Sequence, residues 1–186
     1  VGRLSSDFKP FTRDVQDALY FEPQKLGTIG VKHAQSGWTQ TVLNELACLQ
    51  MRDPGPMLVL APTKDKAKEY CYDRLYPIVR DSAQIYEIVE RGNKGKYSVG
   101  YGVNFPGGKA RFSWASSENS VIGAPFRCAY IDDAEACIDE YPAGKGDLFV
   151  GAETRLRTFK GGGGRRMCIN GHPRFEHEGL HKLWET

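Results

Sequence analysis

The chain has 186 residues, with 25 Lys and Arg against 23 Asp and Glu and a net charge of +2. Hydrophobic residues make up 40% and charged residues 26%, an ordinary globular composition that excludes a disordered polyelectrolyte and a histone-like basic protein. The longest apolar run, Met57–Ala61, is too short to cross a bilayer, so no membrane role is expected.

The length fits one domain, at about 100–200 residues per domain. In chain order, a helix is predicted over about 10–20, opened by Pro10, and a short strand over 26–31 (LGTIGV). An apolar-periodic helix follows over 39–51. PMLVLAP (56–62) is a continuous apolar run between prolines, the pattern of a strand buried on both faces. Thr63 is placed to cap a helix over 64–80. Residues 92–108, rich in Gly, Tyr and Lys and ending in Pro-Gly-Gly, read as a hairpin or ribbon. Strands are predicted at ARFSWAS (110–116), FRCAYID (126–132) and RRMCIN (165–170). Helices are predicted over 148–159 and 175–184. This order implies an α/β fold with a mostly parallel central sheet and crossover helices.

The five cysteines, at 48, 71, 128, 137 and 168, are widely spaced and form no CxxC motif, so they are expected as free thiols. Cys48 and Cys128 lie in apolar segments, where Cys packs as a small hydrophobe.

The segment Lys32-His33-Ala34-Gln35-Ser36-Gly37-Trp38-Thr39 joins a predicted strand to a predicted helix. Backbone amides at a helix N-terminus point at an anion, so this is where a phosphate-binding loop belongs. The usual pattern is GxxxxGK[ST]. Here Gly37 and Thr39 are in position, Trp38 stands at the lysine position, and Lys32 stands at the first glycine. The lysine would therefore enter from the opposite end of the loop. An ordinary strand-to-helix turn with a surface lysine is the competing reading, and Trp38 also fits a core aromatic.

A phosphate loop requires a partner, a buried strand ending in a carboxylate near the magnesium ion. Cys128-Ala129-Tyr130-Ile131-Asp132-Asp133 fits that requirement. Asp132 would hold Mg2+ together with Thr39. Asp133 would polarise the attacking water, with Glu135 as a second candidate. Taken alone, Asp132 and Asp133 could be an acidic turn; Asp139 and Glu140 read as a solvated loop.

These segments together resemble the ATPase half of the large terminase subunit of lambda-like tailed phages. The loop KxAQxGxT carries its lysine in front, as that branch does. LAPTKDKAKEYCYDRLYPIVRDS (60–82), FPGGKARFSWASSENSVIGAPFRCAYIDDAEACIDEYP (105–142) and GAETRLRTF (151–159) are similar to family segments in the same order. MCINGHP (167–173) takes the place of the coupling motif.

The resemblance implies a P-loop NTPase of the ASCE type, using ATP and Mg2+ to drive double-stranded DNA into a procapsid in the host cell cytoplasm. It implies a pentameric ring on the portal protein and contact with the small terminase subunit. It assigns the coupling role to Asn170, Gly171 and His172, and an adenine contact to the region of Phe11, Arg13 and Gln16, where a packing helix with exposed polar residues is the competing reading. The family's nuclease domain has no room within 186 residues, so a single ATPase domain over 1–186 without nuclease activity is expected. Asp133 replaces the usual glutamate. Asn-Gly-His replaces the usual end of the coupling motif. The arginine expected before the acidic strand is missing from VIGAP (121–125), with Arg127 nearby.

Other groups allow alternatives. Arg155, Arg157, Lys160, Arg165 and Arg166 could meet DNA, serve a neighbouring subunit or form a solvated face. Lys94, Lys96, Tyr97 and Tyr101 mix charge with aromatics in the predicted ribbon, as a nucleic-acid contact or a surface hairpin would. His172, His177 and His181 lack the companion spacing of a zinc site. A degenerate nucleotide fold used for docking and a helicase-like ATPase stand as rivals to the motor reading.

Overall fold

The computed structural model describes residues 27–31, 37–93, 101–117, 120–121, 123–159 and 165–172. Its strands are β1 (Gly27–Val31), β2 (Pro56–Ala61), β3 (Gly102–Phe105), β4 (Gly108–Trp114), β5 (Cys128–Ile131) and β6 (Arg166–Gly171). Its α-helices are α1 (Trp38–Arg52), α2 (Lys64–Lys68), α3 (Tyr76–Asp81), α4 (Ala83–Asn93), α5 (Ala134–Glu140) and α6 (Leu148–Leu156). The strands form one sheet in the order β1-β6-β5-β2-β4-β3. All neighbours are parallel except β3 and β4, a hairpin closed by Pro106 and Gly107.

Side chains alternate between two cores, as the period of a strand demands. From β2, Met57, Val59 and Ala61 enter one core, while Leu58 and Leu60 enter the other. From β5, Cys128 and Tyr130 join the first and Ala129 and Ile131 the second. Val42, Leu43 and Leu46 of α1 cover the first face, with Ala67, Leu75, Val79 and Val89. Ala134, Cys137, Leu148, Phe149, Ala152 and Leu156 cover the second. Burial of each large aliphatic side chain here contributes roughly 1.5–3 kcal/mol. The apolar run of β2 is thus a central strand with both faces covered.

The Thr63 hydroxyl accepts from the N–H of Lys66 at 3.3 Å, capping α2 as expected. The helix does not then run regularly to residue 80. Residues Glu69–Leu75 form a π turn, and the N–H of Tyr76 reaches back to the carbonyl of Cys71. Pro77 supplies a reason. It has no N–H to donate, and its ring crowds the carbonyl four residues earlier, so a widened turn before it relieves both.

Two helices are absent from the sequence expectations. One is α4, separated from α3 by the extended backbone of Ser82. The seven-residue α5 contains Asp139 and Glu140, which are therefore helical rather than part of a loop. Cys48 is exposed on α1, contrary to expectation, whereas Cys128 is buried. The predicted helices over 10–20 and 175–184 lie outside the described residues, as does the segment 94–100 of the predicted ribbon. Among the described residues, no helix is long and apolar enough to cross a membrane.

Candidate functional site

Strand β1 ends at Val31 and α1 begins at Trp38, with β6 lying between β1 and the acidic strand β5. Loop residues Lys32, His33, Ala34, Gln35 and Ser36 lie outside the described residues, and so does Gln16. Gly37 is described. Its φ of 76° and ψ of 5° put it in the left-handed region, where glycine carries no Cβ penalty. It immediately precedes α1, whose first amides lack partners within the helix. Its carbonyl accepts from both the backbone N–H of Thr41 at 3.0 Å and the Thr41 hydroxyl at 3.2 Å.

Trp38 turns into the core. Its side chain is 7% exposed and belongs to the core. A Cβ at Gly30 would lie 2.5 Å from two carbons of the indole, so the ring lies directly over the β1 backbone. As a cofactor-binding residue Trp38 can therefore offer its backbone amide, not its ring. Its bulk at the usual lysine position is absorbed by Gly30.

The other side of the site comes from β5. Asp132 follows its last residue and is 4% exposed. Its backbone N–H donates to the carbonyl of Leu60 on β2 at 3.0 Å, and the Cys137 thiol donates to its carbonyl at 3.2 Å. The Thr39 hydroxyl donates to Asp132 Oδ2 at 2.7 Å, across 93 positions of sequence. A hydroxyl and a carboxylate meeting beside a helix N-terminus are hard oxygen donors of the kind Mg2+ prefers. The donor set fits that ion. Tyr70, 6% exposed in the π turn, lies near enough to feel the Asp132 charge. Burial first, and then the Asp132 charge, raise its pKa well above the usual phenol value.

Asp133 adopts φ 54° and ψ 58°, a left-handed conformation; among the described residues it is the only non-glycine with positive φ. Its backbone N–H donates to Asn170 Oδ1 at 3.3 Å. Asn170 is 2% exposed at the end of β6, next to buried Gly171, while His172 is exposed. Glu135 sits in the first turn of α5. The structure therefore brings Thr39, Asp132, Asp133 and Asn170 to one end of the sheet.

Arg127 is not there. It precedes β5 whereas Asp132 follows it, so the two lie at opposite ends of the strand, about 16 Å apart at 3.3 Å per residue. Its guanidinium pairs with Asp53. The arginine group also separates. Arg166 enters the interior and pairs with Glu45 of α1, which is 1% exposed, while exposed Arg157 faces Glu153 at 4.0 Å. Lys160, His177 and His181 lie outside the described residues. Among those described, no three His, Cys, Asp or Glu side chains gather as a metal site.

All 186 residues match the family described as phage terminase large subunit gpA, ATPase domain. The chain belongs to this family. No curated protein matches it. Among solved structures it is similar to the large terminase ATPase domain of Thermus phage P74-26, at 16% identity and a TM-score of 0.56, over 81% of this chain and 61% of that one. An arginine-to-alanine mutant of the same domain matches at 18% identity and a TM-score of 0.60, over 94% and 72%. A large terminase from a thermophilic bacteriophage matches at 13% identity and a TM-score of 0.59, over 92% of this chain and 39% of that one. The chain thus spans 61% of the first and 39% of the third. At these identities the likeness establishes the fold, that of a P-loop NTPase. The strand between β1 and β5 is the ASCE arrangement.

Sequence reasoning missed the buried Glu45, which lies away from the site, and the place of Tyr70 near Asp132. Glu45 was detectable, because it stands three residues after Val42 on the apolar face of α1. Tyr70 carries no comparable signal; its burial belongs to the π turn.

Proposed function

We propose that the chain binds and hydrolyses ATP with Mg2+ and couples that hydrolysis to translocation of double-stranded DNA during packaging. The observation that carries the reading is the 2.7 Å contact between Thr39 and Asp132, which joins the start of the loop helix to the end of the acidic strand. Lys32 and the amides from Lys32 to Thr39 hold the phosphates. Thr39 and Asp132 hold the metal, Asp132 through its hydration shell. The bound ion neutralises charge on the phosphates. Asp133 or Glu135 orients the water. Asn170, tied to the Asp133 amide, couples the nucleotide end of β6 to the rest of that strand. Gln16 is retained as the adenine contact.

The wider assembly belongs to the same reading: a pentameric ring on the portal protein, contact with the small terminase subunit, and action in the host cytoplasm. A single ATPase domain over 1–186 is also part of it. The core position of Trp38 supports an adapted loop over a decayed one, because the departure at the lysine position has a packing explanation.

Calorimetry of Mg-ATP binding, comparing the wild type with Lys32→Ala, tests the reading. Binding is expected in the wild type and is lost in the variant. Asp132→Asn is expected to keep the fold and lower turnover about 100-fold or more. No binding in the wild type at millimolar nucleotide would instead favour a docking module with a degenerate site.

A further inference from the structure

Glu45 places a carboxylate on the inner face of α1, between Val42 and Leu46 of the first core. It is 1% exposed, and its Oε1 accepts from the Arg166 guanidinium at the start of β6. Its other oxygen, Oε2, is buried and has no hydrogen-bond partner among the described residues. Stability gives little reason for such a pair. Taking two charges out of water costs about as much as their attraction returns, and apolar residues of similar volume often do as well or better. What an ion pair has and an apolar contact lacks is direction, because a guanidinium N–H meets a carboxylate oxygen in few geometries. The elements it joins are those that carry the site. Helix α1 holds Thr39 in its first turn, about 9 Å along the helix from Glu45. Strand β6 leads from Arg166 to Asn170, about 13 Å along the strand.

We propose that Glu45 and Arg166 are positioning residues that hold α1 level with β6, so that Thr39 stands opposite Asp132. Backbone ladders already fix β6 against β5, from Arg166 beside Cys128 to Ile169 beside Ile131. The loop helix has no such ladder. Packed helices slide past their neighbours by small shear movements, and apolar contacts tolerate them. A directional pair part-way along α1 opposes that slide. Three polar contacts then close a ring around the site. Thr39 ties α1 to Asp132 at 2.7 Å, Asn170 ties β6 to the Asp133 amide at 3.3 Å, and Glu45 ties α1 to β6. Partners beyond the ligands of a metal site set affinity without touching the ion. Glu45 and Arg166 reach neither nucleotide nor metal in this role and are not catalytic residues. The inference rests on the ATPase reading.

The test is the double variant Glu45→Met with Arg166→Met, which removes both charges together and keeps the volume near that of the pair. Mn2+ binding to the protein with a non-hydrolysable ATP analogue is followed by electron paramagnetic resonance, with the melting temperature measured alongside. Both are measured at about pH 8, where Glu45 is ionised in the wild type. The double variant is expected to melt no lower than the wild type and to need about tenfold more Mn2+ for half-saturation. Glu45→Gln keeps the shape of the side chain and weakens the link; it is expected to raise the Mn2+ requirement by a smaller factor, and it decides the matter if the double variant does not fold. A pair that served stability alone would lower the melting temperature on removal and leave the metal requirement alone. An unchanged Mn2+ requirement, with wild-type binding intact, overturns the link and leaves the ATPase reading standing. Absence of metal-dependent binding in the wild type overturns both.

Discussion

Asn170 Oδ1 accepts the backbone N–H of Asp133 at 3.3 Å, so a buried side chain on one strand holds the turn that carries the acidic pair on the next. The contact joins the end of β6 to the start of α5. Asn170→Ala would leave that N–H without its partner. The expected cost is about 1 kcal/mol of stability, read from urea denaturation. The kcat for ATP is expected to fall while the KM changes little, since the phosphate loop is untouched.

The Asp133 backbone makes its own prediction. A non-glycine residue at φ 54° carries a steric penalty that glycine avoids. Asp133→Gly and Asp133→Ala remove the same carboxylate but differ in backbone freedom. The glycine variant is expected to be more stable than the alanine variant by about 1 kcal/mol. Both are expected to lose turnover to a similar degree. Equal melting temperatures would refute the strain, and unequal turnover would refute the separation of backbone from side-chain roles.

Gly30 and Trp38 predict a paired effect. A methyl group at residue 30 would meet the indole at 2.5 Å, where the β1 backbone cannot easily retreat. Gly30→Ala is expected to destabilise the protein by about 1–3 kcal/mol. Trp38→Leu creates space at the same point and costs stability by itself. The double variant should cost clearly less than the two single costs added together. A thermodynamic cycle from chemical denaturation measures that coupling.

Glu45 gives the fold a pH dependence. Burial pushes its pKa from 4.5 up to about 7, and the paired Arg166 guanidinium pulls against that rise. Between those values the folded chain keeps a proton that the unfolded chain has lost. The contribution of Glu45 to stability is therefore fully present below 4.5, declines as pH rises through about 7, and is constant above that. Melting temperatures of the wild type should show this decline from about pH 5 to about pH 8. Glu45→Gln should flatten it, because the amide has no proton to lose over that range.

Much of this was legible because its causes are local. A strand buried on both faces writes a continuous apolar run, as β2 does. The Thr63 cap and the order of loop and acidic strand can likewise be read directly. Other features depend on distances the sequence does not encode. The place of Trp38 in the phosphate-loop pattern says nothing of the space above Gly30. The proximity of Arg127 to Asp132 in sequence is misleading, because a strand separates them.

The π turn at Glu69–Leu75 makes chain length, more than residue identity, the sensitive variable in this helix. A π turn holds one residue more than the regular helix requires, and each residue turns the helix by about 100°. Asp73 is exposed, so substitutions there should be tolerated. Its deletion would return the segment to regular winding. Either Tyr70 and Cys71, or Leu75 and Val79, would rotate out of the core. Homologous chains that keep a tyrosine here should therefore conserve the spacing between that tyrosine and the following proline even where the intervening residues diverge.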